Sequence, residues 1–114
     1  MISIGSGQLQ NAQSRCADRG ASVPLPRNAN ENDEYRAAFS ELLYSDSYVA
    51  LGVSDAATEG VWLDNDGNAV EFTNWLSGQP DNHLGQDYAT MSTSSGLWVD
   101  RDATSNVYII VCEK

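Results

Sequence analysis

From Tyr48 onward the apolar residues come in segments too short to build helices: residues 48–53, 61–63, 88–91, 97–99 and 108–112. Each is bounded by Gly, Asp, Asn or Ser, the residues that punctuate a chain into strands and loops. Strands need only about 4–8 residues and helices about 10–12 or more, so this half of the chain is confined to short strands. Segment 108–112 is apolar at every position, the pattern of a strand covered on both faces. Asp66-Gly67, between Trp62-Leu63 and Val70-Glu71-Phe72, fits a tight hairpin turn. The first half reads differently. After a short opening strand, Leu9, Ala12 and Cys16 fall on one helical stripe that Gly20 can stop. Tyr35, Phe39, Leu42 and Leu43 fall on a second, entered through the polar run 28–34. Two helices followed by short strands and long polar loops predict an α+β domain.

The chain has 114 residues and no repeat, linker or low-complexity stretch, so residues 1–114 are expected to form a single domain. At this length about two-thirds of the unfolded surface can be buried, enough for an independent core. No apolar run approaches the ~20 residues of a bilayer span, so membrane insertion is not expected. Met1, Ile2, Ser3 and Ile4 lack the basic lead-in of a signal peptide, so secretion would require a signal outside this sequence. Sixteen acidic against six basic residues give a formal charge of −10. Such a chain is repelled by phosphate backbones, which argues against nucleic acid as a partner. The charge is unevenly placed: between Arg36 and Arg101 there is no Lys or Arg, yet the stretch holds ten Asp and Glu. Converging carboxylates without bases are commonly neutralised by a divalent cation, and otherwise form a solvated acidic surface.

Catalytic chemistry finds little support. His83 is the one histidine, which excludes His-cluster metal sites, and the chain has no phosphate-cradling glycine loop and no nucleophile elbow. The chain is therefore read as a non-enzyme. Asp64-Asn65-Asp66-Gly67 opens like a helix-loop-helix calcium loop, but the twelfth position, where a bidentate Glu is required, holds Trp75. The polar stretch 77–86 is richer. Gln79, Asp81, Asn82, Gln86 and Asp87, with Asp100 beyond, are oxygen donors of the kind calcium takes six to eight of. Pro80 lies between two of them, and a cis bond there would aim both side chains at one point. Cys16 and Cys112 sit near opposite ends. Paired, they would close nearly the whole chain; in a reducing compartment they would stay free thiols, and position alone leaves both open.

Gly52-Val53-Ser54-Asp55, Glu59-Gly60-Val61-Trp62, Phe72-Thr73-Asn74-Trp75, Gly78-Gln79-Pro80-Asp81-Asn82, Gln86-Asp87, Trp98-Val99-Asp100 and the terminal Val111-Cys112-Glu113-Lys114 follow one another in the order of a C-type lectin domain, which the whole chain resembles. The resemblance implies a C-type lectin-like fold with two helices, two small antiparallel sheets and a long loop region carrying Ca2+ and ligand. It implies a Cys16–Cys112 disulfide, and core roles for Trp62 and Trp75. The family's second disulfide is absent, with Tyr88 and Ala103 at its positions. A sugar-binding calcium would take Gln79, Asp81, Gln86 and Asp100, and two adjacent sugar hydroxyls would bind the ion and the same side chains. A second calcium would take Asp55, Glu59, Asn82, Gln86 and Asp87. The Gln-Pro-Asp triplet resembles the galactose and N-acetylgalactosamine class, whereas the mannose class usually carries Glu-Pro-Asn. The loop lacks the Trp that many galactose binders stack on the sugar, and His83 is the available substitute.

Two departures lower the expected calcium affinity: Val99 replaces an Asn ligand, and Gln86 replaces a Glu. Asp102 is the nearby carboxylate able to restore the lost charge. The resulting expectation is a secreted, calcium-dependent lectin for terminal galactose-type glycans, assembled as a dimer or larger homo-oligomer for avidity. The alternative is a lectin-like domain with a degenerate calcium site that binds a protein, ice or a sugar without calcium.

Overall fold

The computed structural model describes residues 1–43, 46–81, 86–105 and 107–114. Strand β1 (Ile2–Gly7) leads through a 3-10 turn (Leu9–Asn11) into helix α1 (Ala12–Ala17). Gly20 closes that helix at a φ of +68°, a backbone state that glycine adopts without the usual steric cost. Helix α2 (Ala29–Leu43) begins at a reciprocal cap. The Asn28 carboxamide oxygen accepts the Glu31 N–H at 2.8 Å, and the Glu31 carboxylate accepts the Arg27 N–H at 2.9 Å. Strands β2 (Tyr48–Ser54), β3 (Leu63–Asp64), β4 (Tyr88–Ser92), β5 (Trp98–Arg101) and β6 (Tyr108–Cys112) complete the domain.

The strands form one sheet in the order β1-β6-β2-β4-β5, with β3 also pairing β2. The expectation of two antiparallel sheets is corrected on this point. β2 pairs β4 antiparallel on one side and β6 parallel on the other, through Val49 opposite Ile109, and this single parallel contact fuses the halves into a mixed sheet. Side-chain alternation then divides the core. Val49, Leu51, Val53, Ala89, Met91, Trp98 and Val111 face α2, where Phe39 is fully buried. Ala50, Ile110 and Cys112 face Leu9, Ala12 and Cys16 at the start of the chain. β6 is thus covered on both sides, as its unbroken apolar sequence requires. Trp62 and Trp75 pack against the first cluster but stay half-buried, their rings 4.8 Å apart.

Asp66-Gly67 is a hairpin turn, not a calcium loop. Asp64 Oδ1 accepts the N–H groups of Asp66 and Asn68, and Gly67 has a φ of +85°. Cys16 and Cys112 are bonded across 96 residues of sequence. At the two positions where the resemblance implies a lost second disulfide, Tyr88 packs against the α1-side cluster and the Gln10 N–H donates to the Ala103 carbonyl at 3.2 Å. Among the described residues no helix is long and apolar enough to cross a membrane.

Closing so long a loop removes a large share of unfolded-chain entropy. Replacing Cys16 and Cys112 by Ser is expected to lower unfolding free energy by about 4–5 kcal/mol. Urea unfolding monitored by tryptophan fluorescence measures it.

Candidate functional site

Two groups of oxygen-bearing side chains form at the end of the sheet where β2 finishes and β4 begins. Ser54 pairs with Tyr88, so the next residue outward on each strand, Asp55 and Asp87, leaves the sheet side by side. The Asp55 N–H donates to the Asp87 carbonyl at 2.9 Å and locks that juxtaposition. The chain then turns back through Gly60, at a φ of +82°, whose N–H donates to Asp55 Oδ2 at 2.9 Å. The turn sets Glu59 beside the other two, and one oxygen from each of Asp55, Glu59 and Asp87 lies within 4.8 Å of the others.

This arrangement is electrostatically incomplete. Asp55 is only 3% exposed, and its Oδ1 and the Oδ1 of Asp87 are buried without a hydrogen-bond partner among the described residues. Burial, followed by the neighbouring carboxylates of Glu59 and Asp87, pushes the Asp55 carboxyl up to about 7, although the Gly60 N–H opposes the shift. An all-oxygen, anionic cluster with unpartnered lone pairs has the donor chemistry of a hard divalent cation such as calcium. The residues therefore fit the ion that the acidic stretch suggests.

The second group is carried by the loop after β3 and by β5. Trp98 anchors the loop through its backbone, its N–H donating to the Asn74 carbonyl at 2.8 Å and its carbonyl accepting the Leu76 N–H at 2.9 Å. A turn then forms in which the Gln79 N–H donates to the Leu76 carbonyl at 2.8 Å, with Gly78 at a φ of +88°. The Gln79–Pro80 bond is cis. Gln79 Nε2 donates to Asp81 Oδ2 at 3.2 Å, and the Asp81 N–H donates to Asp100 Oδ1 at 3.3 Å. Asp100 is fully buried on β5, and Gln79 Oε1 is a buried acceptor without a hydrogen-bond partner among the described residues.

The structure thus brings together Gln79, Asp81 and Asp100 in one group and Asp55, Glu59 and Asp87 in the other. Gln86 is half-buried immediately before Asp87. Asn82 and His83 lie outside the described residues. Asp102 does not supply the compensating charge that its position suggests. Its Oδ2 accepts the Ser105 N–H at 2.9 Å and its Oδ1 accepts the Tyr108 hydroxyl at 3.3 Å, so both oxygens are spent on the turn after β5. Val99 is 7% exposed and brings no side-chain oxygen, and its carbonyl accepts the Thr90 hydroxyl. The backbone role of Gly60 was not evident in the sequence, where Glu-Gly signals only a turn. A cavity of about 500 Å³ between α2 and residues 22–27, lined by Arg27, Glu31, Tyr35 and Glu113 among others, shares no residue with either group.

The sequence profile of the Lectin C-type domain matches residues 6–114. Over 101 residues the chain is 36% identical to the mannose-binding protein of Gallus gallus, a stretch that covers 89% of this chain and 38% of that relative's length. The chain thus spans well under half of that protein. Among solved structures, the carbohydrate-recognition domain of the mouse scavenger receptor C-type lectin is similar with a TM-score of 0.82 and 27% identity, over 99% of this chain and 84% of that one. A calcium-independent type II antifreeze protein is similar with a TM-score of 0.81 at 18% identity, over 99% of this chain and 81% of that one, which speaks to the fold alone.

The raised Asp55 pKa has a direction in stability. Between the ordinary carboxylate value and about 7 the folded state holds a proton that the unfolded state has released, so stability falls as pH rises through this window. In EDTA the thermal midpoint is expected to be higher at pH 5 than at pH 8. A saturating divalent cation should remove the difference. Asp87→Asn should make the decline shallower without abolishing it, because burial is the larger cause. Scanning calorimetry across this pH range, with and without calcium, checks all three.

Proposed function

We infer the function from one premise: the chain belongs to the C-type lectin domain family. It is a carbohydrate-binding domain and not an enzyme. Beyond that, we propose that it binds terminal galactose-type sugars in a calcium-dependent manner through Gln79, Asp81 and Asp100, with Gln86 completing the set. The observation that carries the reading is the convergence of Gln79, Asp81 and Asp100 through two hydrogen bonds on a loop pinned to β5.

The chemistry follows from what these side chains offer. Asp81 and Asp100 are acceptors that two sugar hydroxyls can donate to, and charge-assisted hydrogen bonds of this kind are the stronger ones. Gln79 presents both an acceptor oxygen and a donor amide, so the pair Gln79 and Asp81 is asymmetric about the bound diol. That order, amide first and carboxylate third, is the basis for choosing galactose over mannose. Calcium held by this group would take the oxygens of both hydroxyls into its coordination sphere. Asp55, Glu59 and Asp87, with Gln86 and Asn82 as further donors, would hold a second ion whose role is to keep the strand ends and loops in their bound shape. Two charged ligands in the sugar site, Asp81 and Asp100, place its calcium affinity toward the weak, extracellular end of the range, about 10⁻⁴–10⁻³ M. This agrees with a secreted protein containing a disulfide. Single sites of this kind bind weakly, and a homo-oligomer, most simply a dimer, would supply avidity.

A mannose-type preference is the second reading, favoured by the 36% identity to a protein named for mannose binding. Calorimetric titration of galactose, N-acetylgalactosamine and mannose separates the two. Galactose-type heat in calcium that vanishes in EDTA is expected, and Asp100→Asn should weaken it by about tenfold or more. The exchange Gln79→Glu with Asp81→Asn should shift the preference toward mannose. Heat from mannose alone in the unmodified protein would reverse the specificity. Binding indifferent to EDTA would point to the calcium-independent alternative.

A further inference from the structure

We propose that Asn32, on helix α2, is a positioning residue for the sugar site, an inference that rests on the reading of Gln79, Asp81 and Asp100 as that site. Asn32 is 2% exposed and makes two hydrogen bonds at once. Its Oδ1 accepts the Trp98 indole N–H at 2.8 Å, and its Nδ2 donates to the Gly96 carbonyl at 2.9 Å. The same Gly96 carbonyl accepts the Asn74 side-chain amide at 2.8 Å. Helix α2 is thereby tied through the Asn32 carboxamide to the start of β5, and the Asn74 carboxamide ties the loop after β3 to the same carbonyl.

The connection is continuous. The Trp98 backbone bonds to Asn74 and Leu76, and the Leu76 carbonyl accepts the Gln79 N–H. Two residues beyond Trp98 on the same strand is Asp100, which accepts the Asp81 N–H. Gln79 and Asp100 therefore both depend on where Trp98 sits, and Asn32 fixes the indole of Trp98 from the other side. The fit is close: a Cβ on Gly96 would lie 3.2 Å from Asn32 Nδ2 and 3.3 Å from Arg36 Cδ, and Gly96 has a φ of +76°. The indole itself is held edge-to-face by Phe72 and Trp75, at 5.8 and 5.7 Å between centroids. Ring packing sets its depth, and the bond to Asn32 sets its rotation. A buried carboxamide costs free energy to desolvate, and here its hydrogen bonds fix orientation where an apolar residue would supply volume alone.

The group at Asp55, Glu59 and Asp87 hangs on different bonds, the Asp55 N–H to the Asp87 carbonyl and the Gly60 N–H to Asp55. A change at Asn32 should therefore separate the two groups, which a general loss of stability would not do. Asn32→Leu keeps roughly the volume and removes both polar ends; Asn32→Asp keeps the acceptor for the Trp98 indole but removes the donor to Gly96, and serves if the first variant does not fold. Amide hydrogen exchange at Leu76 and Gln79, relative to Gly60, is expected to accelerate by about tenfold or more. Calcium-dependent sugar affinity should fall by about tenfold. Calcium affinity at the Asp55 group should stay within about twofold. Unchanged exchange at Leu76 and Gln79, or equal acceleration at Gly60, would overturn the proposal. If the unmodified protein binds no sugar with calcium, the site reading fails by itself, and the exchange pattern still decides whether Asn32 positions the loop.

Discussion

Three carboxylates held within 4.8 Å of one another at a strand end set the terms for the rest of this molecule. They cannot drift apart, because the Asp55 N–H is bonded to the Asp87 carbonyl and the Asp55 side chain to the Gly60 N–H. Nor does the stretch that carries them hold a base, since no Lys or Arg occurs between Arg36 and Arg101. Two outcomes remain: a proton is retained on Asp55, or a cation is bound. The first follows from the Asp55 carboxyl being pushed up to about 7 by burial and its neighbours, and the second makes loop shape and cation binding a single equilibrium.

The sheet makes such a strained placement possible. Its core is divided between an α2 face built on Phe39, Met91 and Trp98 and an α1 face built on Leu9, Ile110 and the disulfide. Strand ends emerging from so well-buried a platform have little freedom, so backbone register converts directly into side-chain position. Ser54 opposite Tyr88 places one group, and Trp98 bonded to Asn74 and Leu76 places the other. The loops are irregular, yet hydrogen bonds stitch both groups to regular structure. The similarity of the fold to a calcium-independent antifreeze protein shows that this platform does not by itself dictate a ligand. The choice lies in the side chains at its end.

Much of this was legible in the sequence, because the signals were local. The stripe of Leu9, Ala12 and Cys16, the stripe of Tyr35, Phe39, Leu42 and Leu43, and the Asp66-Gly67 turn all report on neighbours within a few residues, and they appear with two departures: Leu9 stands in the 3-10 turn before α1, and Leu42 is exposed near the end of α2. The ordered motifs indicated the disulfide and the grouping of Gln79, Asp81 and Asp100, which spacing alone would not. Non-local features were harder. The single sheet depends on Val49 meeting Ile109, some sixty positions away, and no periodicity in either strand encodes which partner lies beside it. Asp102 looked available because it is charged and close in sequence to Asp100, but the Ser105 N–H and the Tyr108 hydroxyl take its oxygens once the turn forms. Asn32 gave no signal at all. In the run 28–34 it is one polar residue among several, and only the fold reveals that it faces inward to an indole.

Counting bound calcium tests the central claim most directly. Isothermal titration of calcium into the metal-free protein at pH 7.5 is predicted to show two ions, with one lost in Asp87→Asn and the other in Asp100→Asn. No saturable binding up to about 10 mM calcium, above the range of weak extracellular sites, would contradict the account and leave a proton on the buried Asp55 to relieve the cluster.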